Sequence, residues 1–268
     1  MKLPPRLEPP SRTAFFTDER DLRFLVFVGF VLAALALGLK SELVAPSQVW
    51  WLSFGLVVLA APALFAYLHG QSRGPALEHF MPVAIGAVVV AGLSLLIVDW
   101  WQFALASAAF GLGFGVAAHL DYRHLSGQGR TWHEWIQEAL LAVPLAGAFL
   151  VVLAAPFPLA LQVFWIGLLA LAANYRSFRV LGTPLTGSRA FLLGFFVALV
   201  VAMAAWAMSM YLHFQEGAFA VILLLVWYIS RGVLRHAFED SLTRQVLIEY
   251  GAFGLLLAYL FWISNRPS

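Results

Sequence analysis

The chain has 268 residues, of which 62% are hydrophobic and only 11% are charged, and its mean hydropathy is +0.85. A soluble domain carries about 25% charged residues, so this composition excludes an ordinary soluble protein and places most of the outer surface against lipid. The chain contains no cysteine, which excludes disulfides, thiolate metal sites and thiol nucleophiles. The net charge of +2 is not concentrated in any dense basic cluster, so no nucleic-acid partner is expected.

The first 21 residues are rich in proline and mixed in charge. They lack the basic segment, apolar segment and small-residue cleavage site that together mark a secretory signal peptide. We interpret residues 1–21 as a cytoplasmic tail that is disordered alone or lies along a partner.

Nine apolar runs follow in chain order, and they predict an all-α, polytopic helical bundle in one transmembrane domain, 22–264, with a short outer tail, 265–268. The runs lie near 22–39, 50–68, 80–98, 100–118, 139–155, 159–173, 191–212, 217–230 and 250–264. A transmembrane helix needs roughly 20 apolar residues. The sixth, eighth and ninth runs are shorter than that, which leaves an eight-span topology as the alternative.

The distribution of basic residues favours nine spans. With a cytoplasmic N-terminus, fourteen of the sixteen lysines and arginines lie in inner segments, and only Lys40 and Arg266 lie outside. Cytoplasmic loops are enriched in these residues, and the removal of one span would reverse every later loop. The sequence therefore predicts an external C-terminus and a location in a membrane, which we take to be a bacterial cytoplasmic membrane.

The fourth run carries small residues along one stripe, at Ala104, Ala108, Gly111 and Gly115. Small residues four apart allow the backbones of two membrane helices to approach closely. We expect this stripe to be buried and the fourth run to lie at the packed centre of the bundle.

Two histidines are candidate axial ligands for a haem or for the metal of a pigment. His69 and His119 end the second and fourth runs at a similar predicted depth, and neutral imidazole is a common metal ligand. The alternative is that both are interfacial residues whose polar tips reach the headgroups. A quinone is a further candidate cofactor, although no specific motif supports any of the three.

The segment from Thr131 to Gln137 resembles a zinc-protease motif in which the second histidine is missing. His133 and Glu134 stand in the motif's first two positions, but Gln137 replaces the second metal ligand. Thr131 and Glu134 instead fit a capping box at the start of a helix. We therefore predict no metal site here.

Arginines in two inner segments form the candidate site for an anionic lipid or an acidic partner. Arg176, Arg179 and Arg189 lie in a predicted turn-rich loop, 174–189, and Arg231 and Arg235 follow the eighth run. Guanidinium groups bind phosphate and carboxylate oxygens in a bidentate geometry. The alternative is ordinary positive charge on cytoplasmic loops.

These observations favour a non-catalytic membrane protein, which would be an accessory or scaffold subunit of a larger membrane complex with bound lipid. No ionisable residue lies at the middle of any run, whereas ion-coupled transporters usually place such residues near the midplane. Two alternatives remain. One is a membrane enzyme that acts on lipid phosphates at the cytoplasmic face, and the other is a lipid or small-molecule transporter.

Overall fold

The computed structural model describes residues 81–96, 99–125, 131–180, 185–211, 216–241 and 243–264, together with Val26 and Gly29. These residues form seven α-helices, and the two isolated residues are also helical. In chain order the helices are α1 (Met81–Leu96), α2 (Trp100–Leu125), α3 (Thr131–Ala154), α4 (Leu159–Val180), α5 (Gly187–Tyr211), α6 (Glu216–Phe238) and α7 (Arg244–Ser264). Within these ranges there is no β-strand.

Four helical segments are long and apolar enough to cross a membrane: Ile136–Ala154, Leu159–Val180, Gly187–Met210 and Glu216–Phe238. A helix pairs most of its backbone groups within itself, as the hydrocarbon interior requires, and Pro144 interrupts this pattern once in the first of the four segments. The second predicted run, 50–68, lies outside the described residues. The first, 22–39, lies outside them except for Val26 and Gly29.

The helices continue past the apolar runs at the end that the sequence predicts to be cytoplasmic. Helices α2 and α4 run on to Leu125 and Val180, whereas α3 begins at Thr131 and α7 at Arg244. The predicted loop 174–189 is therefore wrong in its extent, because its first seven residues belong to α4 and the last three to α5. The polar residues on these extensions are part of the helices.

The hydrophobic core lies between α3, α4, α5 and α6. Leu145 and Phe149 of α3, Val197 of α5 and Leu223 of α6 are completely inaccessible to solvent. Helix α1 adds Ile85, and α4 packs extensively on α5. Among the described residues, the core cluster includes none from α2. Among the described helices α3 occupies the centre of this cluster. That the fourth run is the packed centre of the whole bundle stays a prediction, because the first two runs lie almost wholly outside the described residues.

The predicted burial of the small-residue stripe is confirmed where the structure describes it. Gly111 and Gly115 are buried and Ala108 is half-buried, while the side chain of Ala104 lies outside the described set. The stripe faces the first apolar run. A Cβ atom added to Gly29 would lie 2.9 Å from the Cα of Gly111, and one added to Gly115 would overlap Val26. The two helix backbones thus approach as closely as small residues allow.

Helix α6 ends in a turn with a left-handed residue. Asp240 has a φ of 49°, and the amide of Ser241 donates a 3.0 Å hydrogen bond to the carbonyl of His236. This six-to-one bond around a left-handed residue is the Schellman arrangement, in which glycine is the usual residue. Asp240 holds a conformation that strains an L-residue.

We expect Asp240→Gly to stabilise the protein by about 0.5–1 kcal/mol, because glycine adopts positive φ without a Cβ clash. Asp240→Val should destabilise it by about 1 kcal/mol or more, since a β-branched residue is poorly tolerated there. Thermal unfolding in a mild detergent measures both. Equal melting temperatures for the two variants would show that the backbone at residue 240 is not strained.

Candidate functional site

A layer of polar side chains joins five helices at one end of the bundle. It is built from the last turns of α2, α4 and α6 and the first turns of α3 and α7, because consecutive helices run in opposite directions. Its members are Asp121, Gln137, Glu138, Arg176, Ser177, Tyr228, Arg231, Arg235, Glu249 and Tyr250. We call this set the polar layer.

The first part of the polar layer is a buried ion pair between α2 and α4. Arg176 donates from Nη2 to Oδ1 of Asp121 at 2.8 Å and from Nη1 to Oδ2 at 3.1 Å. Both side chains are only 2% exposed. Gln137 of α3 donates to the same carboxylate at 2.9 Å. Such a bidentate pair is strong and directional, so Asp121 fixes the relative positions of three helices.

The second part joins α3, α4 and α6 through Arg231. Its Nη2 donates to Oε1 of Glu138 at 2.8 Å, and its Nη1 donates to the hydroxyl of Ser177 at 2.7 Å. Arg235 donates to the same Glu138 oxygen at 3.4 Å and to Glu239 at 3.3 Å. One carboxylate thus bridges two arginines that lie one helical turn apart.

Aromatic rings close the second part on the side of α7. The Arg231 guanidinium carbon lies 4.9 Å from the ring centroid of Trp227 and 5.9 Å from that of Tyr228, distances typical of cation–π contact. Tyr228 donates to Glu249 at 3.3 Å, and its ring lies 5.9 Å from that of Tyr250. A Cβ added to Gly232 would overlap the Tyr250 hydroxyl, so glycine makes room for this ring.

The structure brings two of the five predicted arginines together and separates the others. Arg231 and Arg235 share Glu138, whereas Arg176 belongs to the ion pair with Asp121. Arg179 donates to the carbonyl of Leu185 at 2.9 Å and so holds the short connection after α4. Arg189 is exposed near the start of α5. Whether these side chains bind an anionic lipid or a partner stays a prediction.

The structure does not test the predicted pairing of His69 with His119, because His69 lies outside the described residues. His119 is half-buried on α2, two residues before Asp121, and its role as an axial ligand stays a prediction. The side chains of His133 and Glu134 also lie outside the described set. Among the side chains that the structure does describe, no group of three His, Asp or Glu residues could hold a metal ion.

Sequence reasoning missed the acids and hydrogen-bond partners of the polar layer. Asp121 and Glu138 belong to no motif, and Gln137 drew notice only as the residue that replaces a metal ligand, although each lies on a helix that continues beyond its apolar run. Ser177 and Tyr228 carry no motif of their own. Their roles depend on tertiary pairing, since Arg231 lies 93 residues from Glu138 and 54 from Ser177.

The chain matches no protein-family model, no curated protein and no solved structure at a significant level of similarity.

Proposed function

We propose that the protein is a non-catalytic integral membrane subunit that stabilises a larger membrane complex and holds lipid at its surface. In this proposal it spans a bacterial cytoplasmic membrane nine times, with the N-terminus inside and the C-terminus outside. The polar layer then lies at the cytoplasmic end of the bundle, where the positive-inside rule places its arginines.

The observation that carries this proposal is the internal pairing of the polar layer. The carboxylate of Asp121 and the guanidinium of Arg176 are almost completely buried against each other. Glu138 is bonded to Arg231 and Arg235. Groups that an enzyme would direct at a substrate are here used to join helices, which supports a structural role.

The outer surface of α5 supports a subunit role as well. It presents large apolar side chains along its whole length: Phe191, Leu192, Phe195, Phe196, Leu199, Met203, Trp206 and Met210. Aromatic residues and methionine are enriched where protein surfaces meet. In a membrane protein this face contacts lipid tails or the helices of other subunits.

Purification from native membranes in a mild detergent tests the subunit role. We expect the protein to elute with other membrane proteins in fixed ratio and with bound lipid, both identified by mass spectrometry. The proposal would be overturned if the protein, extracted from native membranes, purified without other proteins and turned over a lipid substrate.

Reporter fusions test the proposed topology. Fusions after Ala45 and after Ser268 should both report the outer side, and a fusion after Gly182 the inner side, because fourteen basic residues orient the chain. A cytoplasmic C-terminus would contradict nine spans and favour eight.

A second candidate function is an enzyme that acts on lipid phosphates at the cytoplasmic face. It is favoured by the convergence of Glu138, Arg231 and Arg235, since the side chains of Glu138 and Arg235 keep 22% and 20% exposure. An arginine pair beside a carboxylate can bind a phosphate and move a proton. The same purified protein, assayed for phosphate release from anionic lipid vesicles, separates the two functions.

Substitution of the two predicted arginines that remain accessible to solvent tests the binding of anionic lipid. Arg189 is exposed and Arg235 is partly exposed, so Arg189→Gln with Arg235→Gln should reduce retention of anionic lipid, and wild-type retention should fall as salt rises. Arg176 is left intact because its loss would break the pair with Asp121. If the double variant retained the same bound lipids as the wild type, these two arginines would not bind anionic lipid.

A further inference from the structure

Glu249 is the one carboxylate of the polar layer that has no basic partner among the described residues. The other two carboxylates of the layer each lie 2.8 Å from an arginine nitrogen. Glu249 instead accepts a hydrogen bond, at 3.3 Å, from the neutral hydroxyl of Tyr228. Its charge is therefore not neutralised within the described part of the chain. The side chain is exposed, so a cation can reach it from outside.

Glu249 lies at the boundary between a polar helix start and an apolar run. Helix α7 begins at Arg244, five residues earlier, and the apolar run 250–264 follows directly. At 1.5 Å of rise per residue, Glu249 lies about 7.5 Å along the axis from Arg244. The headgroup layer on one side of a bilayer is about 5–7 Å thick. In the proposed topology, in which α7 is the ninth span, this carboxylate therefore lies among the lipid headgroups.

The surface around this carboxylate is apolar and aromatic. Leu247 and Ile248 are 58% and 63% exposed, which suits contact with lipid. On the side of α6, the ring of Tyr228 lies 5.9 Å from that of Tyr250 and 5.0 Å from that of Phe253. The last two side chains are half-buried, so part of each remains accessible. Aromatic rings attract ammonium groups to their faces, so these rings add to the attraction of the carboxylate for such a group.

The chemistry of these side chains favours an ammonium group over a metal ion. A calcium ion takes about six or more oxygen ligands, and the described side chains include no group of three His, Asp or Glu residues that could hold a metal. A primary ammonium group, by contrast, satisfies a single carboxylate through a charge-assisted hydrogen bond.

We propose that Glu249, with the rings of Tyr228, Tyr250 and Phe253 beside it, binds the primary ammonium headgroup of a zwitterionic lipid such as phosphatidylethanolamine. The site names one class of lipid for the proposed lipid-holding role, and it rests on the proposed topology. It is separate from Arg189 and Arg235, whose guanidinium groups suit an anionic headgroup.

Lipid titration of the purified full-length chain, followed by native mass spectrometry, tests this site. Delipidated protein is titrated with phosphatidylethanolamine and with phosphatidylcholine of identical acyl chains, since the choline headgroup keeps the charge but has no N–H donor. We expect the wild type to bind phosphatidylethanolamine about threefold to fivefold more tightly, the effect of a partly exposed ion pair. Glu249→Gln should bring the ratio of the two dissociation constants close to one. Glu249→Asp, which keeps the charge, should retain part of the preference.

Glu239→Gln is the matched control, because that carboxylate is also exposed but lies 3.3 Å from Arg235. This variant should keep the wild-type preference. Phosphatidylglycerol carries no ammonium group, so its binding should not weaken in Glu249→Gln. The assay contains no other subunit, so its result is independent of the proposed subunit role, and the fusion after Ser268 tests the topology separately. A wild type that binds both zwitterionic lipids equally, or a Glu249→Gln variant that keeps the preference, would overturn the site whatever the topology.

Discussion

Asp121→Leu should destabilise the protein by about 3–5 kcal/mol, because it removes the carboxylate that pairs with the buried Arg176 guanidinium. Both oxygens of Asp121 accept from Arg176, at 2.8 and 3.1 Å, and Gln137 also donates to this carboxylate. Leucine keeps the branched arrangement of the four side-chain heavy atoms of aspartate, but it carries no charge and accepts no hydrogen bond. Unfolding in mixed detergent micelles gives the free energy difference.

Two variants separate the buried pair from charge in general. Asp121→Leu combined with Arg176→Met should recover most of the lost stability, since apolar pairs often replace buried ion pairs without loss. Glu239→Gln removes one partner of the more exposed Arg235–Glu239 pair and should change the free energy of unfolding by less than about 1 kcal/mol. An Asp121→Leu variant that unfolds like the wild type would show that the pair does not stabilise the bundle.

The positions of the helices follow from the sequence because lipid imposes simple requirements on a spanning segment. An apolar run must be long enough to cross the hydrocarbon layer and must satisfy its backbone internally. The predicted run 80–98 corresponds to Met81–Leu96, and 191–212 to Gly187–Tyr211. Close approach at Gly111 and Gly115 was predictable for a similar reason, since only small residues permit it.

The extensions of α2 and α4 were not predicted because hydropathy treats a charged residue as the end of a span, whereas the capping box at Thr131 did predict the start of α3. A charged residue can lie inside the bundle when it is paired, and Asp121 and Arg176 form such a buried pair. A signal did exist in the helical phase. Buried positions of α6 recur every four residues at Leu223, Trp227 and Arg231, and the arginine continues the apolar face. Helix α3 shows the same phase, since the buried Gln137 precedes the buried Leu141 by four residues.

The candidate site was predictable only in part. Arg231 and Arg235 lie one turn apart on one helix, so the sequence alone places them together. Their bridging acid, Glu138, is 93 residues from Arg231 in the chain, and no local pattern indicates that contact. For Arg176 the local sequence indicated the wrong kind of partner. Its position in a basic inner segment indicated a loop residue that faces a ligand, whereas tertiary packing directs it at Asp121.

Gly115→Leu is expected to destabilise the protein by about 1–3 kcal/mol through over-packing against the first apolar run. Even a Cβ atom at this position would overlap the side chain of Val26 and lie 3.3 Å from the backbone nitrogen of Val26. A rotation of the valine cannot relieve a contact with its backbone, so the helices must separate. The loss of stability is measured by unfolding in mixed micelles.

Gly113→Leu is the matched control, because it lies on the same helix two residues away and a Cβ there meets nothing within 4 Å. Both substitutions raise helix propensity by a similar amount, about 1 kcal/mol, so their difference isolates the close approach. We expect Gly113→Leu to be neutral or stabilising. Should Gly115→Leu unfold at the same detergent concentration as Gly113→Leu, the contact between α2 and the first run would not constrain the bundle.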